Sequence, residues 1–269
     1  MDRIRKALDL ARQDRAKLEA TGSQIFEPKA AERRPELIEY TRTAVYVPRP
    51  ETLESNRILN PSQSDPAAAA FRMLRTQVLQ RMDEKSWQSL AVLSPNADDG
   101  KTTTAINLAI SLAHDRRHTV LLVDCDLKQP RIAVSLGIAP AFGLDDVICG
   151  KARVEQCLVH PDGFDRLVIL PARAALSNSS EALSGPLGRE LVSELRERYP
   201  ERIILYDLPP IMGADDALAF LPLVECGLMV VAEGSTRRED LLRCMELVSR
   251  TPIVGTVLNR STTVTSAYG

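Results

Sequence analysis

Apolar residues follow two different periods along the chain from residue 88 onward. Short continuous apolar runs, typical of strands buried on both faces, alternate with longer stretches that place apolar residues at helical spacing. The runs predict strands near 89–94, 119–124, 167–171, 202–207, 226–232 and 253–258, and the stretches predict helices near 102–114, 144–149, 185–198, 215–224 and 236–249. Thr236 and Glu239 predict a capping box at the start of the last helix. The alternation predicts an α/β fold with a doubly wound, mainly parallel sheet covered by helices on both faces.

The first 65 residues have a different pattern. Residues 1–20 place apolar side chains on one stripe of an amphipathic helix, which either docks on its own domain or binds a partner or a membrane surface. Residues 21–65 carry five prolines and no sustained period, so they predict a flexible linker. A helix over 67–81 then opens the main domain, 66–260, and residues 261–269 form a tail.

Composition limits the class of protein. The 269 residues are 44% hydrophobic and carry a formal net charge of −2, with a pI of about 6.0. No basic stripe offsets this balance, which argues against nucleic acid as a partner. No apolar run approaches the roughly 18 residues that span a bilayer, and the charged start lacks the apolar region of a signal peptide, so we expect a cytoplasmic protein. The five cysteines show no C-x-x-C spacing, which is typical of buried thiols in a reducing compartment.

Residues 94–104 read SPNADDGKTTT and join the first predicted strand to the helix that follows it. Gly100, Lys101 and Thr102 match the end of a P-loop, where backbone N–H groups surround phosphate oxygens, the lysine reaches the β- and γ-phosphates and the hydroxyl binds Mg²⁺. The positive end of the helix adds to this field. Pro95 stands where the pattern has its first glycine. A bare Gly-Lys-Thr often arises by chance, but the flanking strand and helix favour a site for a nucleoside triphosphate.

Acidic residues end two of the other predicted strands. The run TVLLVDCD ends in Asp124 and Asp126, and RIILYD ends in Asp207. Ligands of an open parallel sheet bind beyond the carboxyl ends of its strands, so these carboxylates should lie close to Lys101. Each aspartate alone would be an ordinary helix or turn cap. Together with the P-loop, they predict binding of Mg-ATP and phosphoryl transfer.

This set of motifs resembles the bacterial tyrosine kinases of capsule and exopolysaccharide synthesis. The resemblance covers about residues 55–260 and includes the P-loop, the second phosphate motif LLVDCDLKQP, the segment ILYDLPP with the later Asp215-Asp216-Ala217, and the upstream helix AAAAFRMLRTQVLQRM. The opening MDRIRKALDLARQ is similar to the start of free-standing members associated with exosortase-type polysaccharide clusters. The resemblance implies a P-loop NTPase fold and kinase activity.

The resemblance also implies roles for individual residues. Lys101 would bind phosphates, Asp124 and Asp126 would serve the metal and activate the nucleophile, and Asp207 would hold the water shell of the metal. Asn259 is either a contact for the nucleotide base or an ordinary residue that ends a strand. The implied catalytic residues are Lys101, Asp124, Asp126 and Asp207; the implied nucleotide contacts are Asp99, Gly100, Lys101, Thr102, Thr103 and Asn259; and the implied Mg²⁺ ligands are Thr102, Asp124 and Asp207.

The chain differs from the family pattern at three places. The loop 95–99 has no glycine, and Ala69 replaces the acid of the family's ring-forming Glu-x-x-Arg-x-x-Arg motif, whose Arg72 and Arg75 remain on one helix face. One tyrosine, Tyr268, stands where the family has a cluster. The resemblance implies a homo-oligomer formed through the two arginines. It also implies a separate membrane-embedded chain-length or co-polymerase partner, which would recruit the protein to the inner face of the plasma membrane.

Three hypotheses for function follow. The first is an ATP-dependent protein tyrosine autokinase of exopolysaccharide synthesis that transfers phosphate to Tyr268, with Tyr40 or Tyr46 as minor sites. The second is a P-loop ATPase or nucleotide-gated regulator without kinase activity. Partition and septum-site ATPases carry a signature lysine where Asn96 stands here, which favours the kinase. The third is a binding-only subunit that pairs with an active relative, as the glycine-free loop would suggest.

Overall fold

The computed structural model describes residues 43–59, 66–115, 117–198 and 201–261. Within these ranges the strands are β1 Ala44–Tyr46, β2 Ser89–Leu93, β3 Thr119–Asp124, β4 Val159–Pro161, β5 Leu167–Leu170, β6 Arg202–Asp207, β7 Cys226–Ala232 and β8 Ile253–Asn259. The helices are α1 Pro50–Ser55, α2 Pro66–Lys85, α3 Lys101–Ala113, α4 Ile132–Leu136, α5 Leu144–Ile148, α6 Val154–Cys157, α7 Ser179–Ser184, α8 Pro186–Arg198, α9 Asp216–Phe220 and α10 Arg238–Leu247, with a 3₁₀ turn at Leu221–Leu223.

The described strands form one sheet in the order β1-β4-β5-β3-β6-β2-β7-β8. The neighbouring strands pair in parallel, except that β4 and β5 are antiparallel. Strand β6 lies between β2 and β3, and its register places Asp207 beside Asp124. The expected α/β fold with a mainly parallel, doubly wound sheet is confirmed, and it brings the two acidic strand ends next to the P-loop strand.

Two hydrophobic clusters cover the two faces of the sheet. Alternate residues of each central strand enter different clusters: Leu90 and Val92 belong to the first, and Ala91 and Leu93 belong to the second. The first cluster includes side chains from α1 to α4, and the second includes side chains from α5 to α10. Because both faces are buried, the central strands read as unbroken apolar runs rather than as alternating ones.

Part of the predicted linker is folded. Strand β1 extends the sheet by pairing with β4. Leu53 of helix α1 and Ile58, which follows that helix, are both buried in the first cluster. The linker prediction for 21–65 is therefore wrong for residues 44–59, since a three-residue strand and a six-residue helix are too short to show a period. The predicted helix 1–20, residues 21–42 and tail positions 262–269 lie outside the described residues.

The predicted capping box is also wrong. Helix α10 begins at Arg238, and Arg237 at its N-cap makes no side-chain capping bond. The Thr236 hydroxyl instead accepts a hydrogen bond from the Ala232 N–H at 2.8 Å and donates one to Asp99 at 2.7 Å. A contact across 137 residues thus replaces a local one. No helix in the described part of the chain is both long and apolar enough to cross a bilayer.

Candidate active site

The loop between β2 and α3 ends in Gly100, whose backbone conformation favours glycine. Gly100 has φ 89° and ψ 21°, which is left-handed backbone that favours glycine. A Cβ atom at this position would also collide with the amide of Asn259, the last residue of β8. Asp98 adopts φ 61° without being glycine, and its carbonyl accepts a hydrogen bond from Arg260. The end of β8 therefore fixes the turn into helix α3.

Asp99 holds the rest of this loop from inside. Its side chain is buried, and its two carboxylate oxygens accept hydrogen bonds from the Asn96 N–H at 2.9 Å and from Thr236 at 2.7 Å. Its carbonyl accepts a third bond, from Nδ2 of Asn259 at 2.9 Å. Asp99 was predicted to contact the nucleotide, but it does not line the cavity at the loop. Its side chain holds the shape of the loop through the bonds to Asn96 and Thr236, and the nucleotide contact stays a prediction.

Lys101 and Thr102, at the start of α3, converge on one carboxylate. Lys101 Nζ lies 2.7 Å from Oδ1 of Asp207, and the Thr102 hydroxyl donates to Oδ2 of the same residue at 2.7 Å. Lys101 Nζ is also 3.8 Å from Oδ2 of Asp126. The expected meeting of the P-loop with the acidic ends of β3 and β6 is therefore present in the structure.

Asp124 is fully buried, as is Asp207. Its Oδ2 accepts a hydrogen bond from the Ile132 N–H at 3.0 Å, which ties the start of α4 to β3. Its Oδ1 has no hydrogen-bond partner in the described structure. Burial, followed by the neighbouring charge of Asp207, raises the pKa of Asp124 well above its ordinary value. A cation close to this carboxylate would reverse that shift.

Asp126 faces the solvent-accessible side of the same cluster. Its Oδ1 accepts a hydrogen bond from the Gln129 N–H at 3.0 Å, and its side chain is 12% exposed. Burial raises the pKa of Asp126, while the positive charge of Lys101 partly opposes this shift. A partly exposed carboxylate with a raised pKa is a better proton acceptor than an ordinary aspartate.

A cavity of about 420 Å³ opens beside this cluster. Its lining residues include the predicted site residues Gly100, Lys101, Thr102, Thr103 and Asp126. Besides Lys101, three further cationic residues line it: Lys128, Arg131 and Arg260. Lys128 Nζ is held 2.8 Å from the buried Asp216, which also accepts a hydrogen bond from Ser179. Lys128, Arg131 and Arg260 were not among the predicted site residues. Lys128 could have been found from its place in the run LLVDCDLKQP.

The predicted acceptor and interface residues have different positions. Tyr268 and Tyr40 lie outside the described residues. Tyr46 is half-buried in β1 and packs against the first cluster. Arg72 is exposed on α2, whereas Arg75 donates a hydrogen bond to the Ser111 carbonyl at 2.9 Å within the same chain.

Comparison with known proteins identifies the family. Residues 90–222 match the family model of an AAA domain. The chain is 27% identical to the tyrosine-protein kinase YwqD of Bacillus subtilis over 191 residues, which covers 70% of this chain and 79% of YwqD. It superimposes on the crystal structure of the VpsO kinase domain with a TM-score of 0.64 and 31% identity, covering 72% of this chain and 95% of that domain. The chain belongs to the bacterial tyrosine kinase family.

One relative is much longer than this chain. The succinoglycan biosynthesis transport protein ExoP of Rhizobium meliloti is 29% identical over 212 residues, which is 77% of this chain but only 26% of ExoP. The resemblance seen in the motifs is therefore confirmed. The chain corresponds to a P-loop NTPase kinase domain, and it spans about a quarter of this relative.

Proposed function

We propose that the protein is an ATP-dependent tyrosine autokinase that regulates exopolysaccharide or capsule synthesis. The observation that carries this proposal is the contact of Lys101 and Thr102 with Asp207, beside Asp126, in a cavity with further cations. YwqD is named as a tyrosine-protein kinase and ExoP for succinoglycan transport, so membership of their family supports both the chemistry and the pathway.

The residues present fit Mg-ATP. Gly100 keeps the loop open at a point where a Cβ would collide, and Asp124 offers a buried oxygen without a partner in the described structure. No group of three His, Cys, Asp or Glu side chains in the described ranges could form a metal cage. Mg²⁺ commonly uses one or two carboxylates together with phosphate oxygens. Thr102 and Asp124 would hold the ion and Asp207 its water shell, and the bound ion would supply positive charge beside the phosphates.

The cluster supplies a path for the proton of the acceptor tyrosine. Asp126 lines the cavity and carries a raised pKa, so its carboxylate would accept the phenolic proton. The tyrosine oxygen would then form a bond to the γ-phosphorus, while the bond from that phosphorus to the β-γ bridging oxygen breaks and ADP leaves. The Lys101 ammonium, which contacts Asp207, would also interact with the phosphates and stabilise their negative charge. Positioning and charge stabilisation supply most of the catalysis in this class of reaction.

The remaining assignments follow from the family pattern. Asn259 donates from Nδ2 to the Asp99 carbonyl, and its Oδ1 would accept a hydrogen bond from the nucleotide base. Tyr268 would be the main phosphate acceptor, with transfer between chains. Tyr206 is unsuitable as an acceptor, because it is buried and its ring packs edge-on against that of Phe220, with 5.1 Å between the ring centroids. A separate membrane-embedded co-polymerase would recruit the kinase from the cytoplasm.

Incubation of the purified protein with labelled Mg-ATP tests the proposal. We expect phosphotyrosine on Tyr268 by mass spectrometry, no labelling of Lys101→Ala, and loss of most label from Tyr268→Phe. Release of free phosphate without any modified tyrosine would move the protein to the ATPase or nucleotide-gated regulator. Tight binding with neither product would favour the binding-only subunit.

A further inference from the structure

A second cavity, of about 510 Å³, adjoins the candidate active site. Thr103, in the first turn of α3, lines both cavities. Asn259 lines the second cavity, and the next residue, Arg260, lines the first. A nucleotide whose phosphates lie at Lys101 must place its nucleoside in an adjoining space. The second cavity meets the first at Thr103 and offers such a space.

One wall of this second cavity comes from residues 50–59, which we call the strap. Leu53, Glu54 and Arg57 are among the strap residues that line the cavity. Leu53 and Ile58 are also buried in the first hydrophobic cluster, so the strap is packed onto the domain. Glu54 and Arg57 remain exposed at the cavity. The wall thus offers apolar side chains for a ring and a guanidinium that can stack on it.

The strap is fastened to the P-loop helix by one buried side chain. Asn107 of α3 accepts a hydrogen bond from the Leu59 N–H at 2.8 Å and donates one to the Arg57 carbonyl at 2.9 Å. On the other side, Asn56 donates to the Ser135 carbonyl of α4 at 3.0 Å. The strap is consequently tied to both helices that begin at the phosphate site.

We propose that the strap is the outer wall of the nucleoside subsite and that Asn107 is the positioning residue that holds it there. The proposal rests on nucleotide binding by the P-loop, as in the proposed function. It assigns to residues 50–59 a role in recognising the nucleoside and none in holding the phosphates. Disturbing the strap should therefore weaken ligands that carry a nucleoside and spare those that do not.

The test compares Mg-ADP with Mg-tripolyphosphate on the full chain by titration calorimetry. Asn107→Ala removes both bonds to the strap, and we expect Mg-ADP to bind at least about tenfold more weakly, a loss of about 1.4 kcal/mol. Arg57→Ala removes an exposed side chain without disturbing the core, and we expect about threefold weaker Mg-ADP binding, as for an exposed cation–π contact. Tripolyphosphate should bind both variants as it binds the wild type. Lys151→Ala, an exposed cation that does not line either cavity, is the matched control.

The outcomes separate this inference from the proposed function. Equal weakening of both ligands by the strap variants, or unchanged Mg-ADP binding by them, would overturn the inference while leaving the nucleotide site in place. Should Asn107→Ala fail to fold, Arg57→Ala alone decides between these results. A wild-type chain that binds neither ligand would overturn the proposed function and this inference together.

Discussion

Replacing Asp99 by alanine should destabilise the loop between β2 and α3, because it removes hydrogen bonds within the protein and not a contact with phosphate. The substitution leaves the Asn96 N–H without its acceptor and removes the acceptor of Thr236. An unsatisfied, partly buried donor costs about 1–3 kcal/mol. We assign about 2 kcal/mol to the Asn96 N–H and about 1 kcal/mol to Thr236, whose hydroxyl keeps its bond from Ala232. The expected loss in the free energy of unfolding is about 3 kcal/mol, which leaves a folded protein.

Urea denaturation and calorimetry with Mg-ADP measure the two consequences. We expect the free energy of unfolding to fall as above and the affinity for Mg-ADP to fall about tenfold, since the loop loses its pre-formed shape. Asp99→Asn should lie between wild type and Asp99→Ala, because the amide oxygen can still accept one of the two bonds. The neighbour is a matched control of opposite sign: Asp98 is exposed and lines the cavity at the loop, and asparagine tolerates its left-handed backbone, so Asp98→Asn should strengthen Mg-ADP binding by removing a negative charge. Wild-type stability and affinity in Asp99→Ala would refute the view that Asp99 shapes the loop.

Three further predictions concern the charge cluster. Lys101→Ala should reduce Mg-ATP affinity by about 2–4 kcal/mol, because it removes a buried cation and leaves Asp207 unpaired; unchanged calorimetry would contradict the P-loop assignment. Asp126→Asn should lower kcat far more than it weakens binding, and it should abolish the acidic limb of the kcat–pH profile. In the wild type, the raised pKa of Asp126 should place this limb at a higher pH than an ordinary aspartate would; an unaltered profile in the variant would exclude Asp126 as the base. The raised pKa of Asp124 means that the folded state retains a proton that the unfolded state has lost, so stability should fall as the pH rises from the unfolded pKa towards the folded one. Urea denaturation at several pH values should show this slope in the wild type and a flatter one in Asp124→Asn, and equal slopes would show that Asp124 is not its source.

The sequence predicts the central sheet well because its signals are local. Each central strand is an unbroken apolar run, and Asp124 and Asp207 end two of them, so the parallel register alone brings these acids together. Strand β1 and helix α1 escaped prediction because they gain stability only by pairing with β4 and packing into a shared core.

The role of Asp99 could not be predicted for a related reason. An acid before Gly100 in a loop without glycine reads as a contact for the nucleotide, yet its partner Thr236 is distant along the chain. Thr236 and Glu239 together match the local pattern of a capping box. In the structure the Thr236 hydroxyl instead bonds to Asp99, so no capping box forms. Side chains with two plausible partners are the positions where local patterns are least informative.

The positions of the cysteines allow local unfolding of the domain to be followed by thiol labelling. Cys149 is exposed, whereas the other four are buried, and burial raises the pKa of Cys157, Cys226 and Cys244 to about 12. A thiol-reactive dye should therefore attach to Cys149 at once and to the others only when their surroundings open. Cys226 lies in the first hydrophobic cluster, while Cys125, Cys157 and Cys244 lie in the second. Labelling rates at these positions would consequently report, in the unmodified protein, whether the face that carries the strap opens independently of the opposite face.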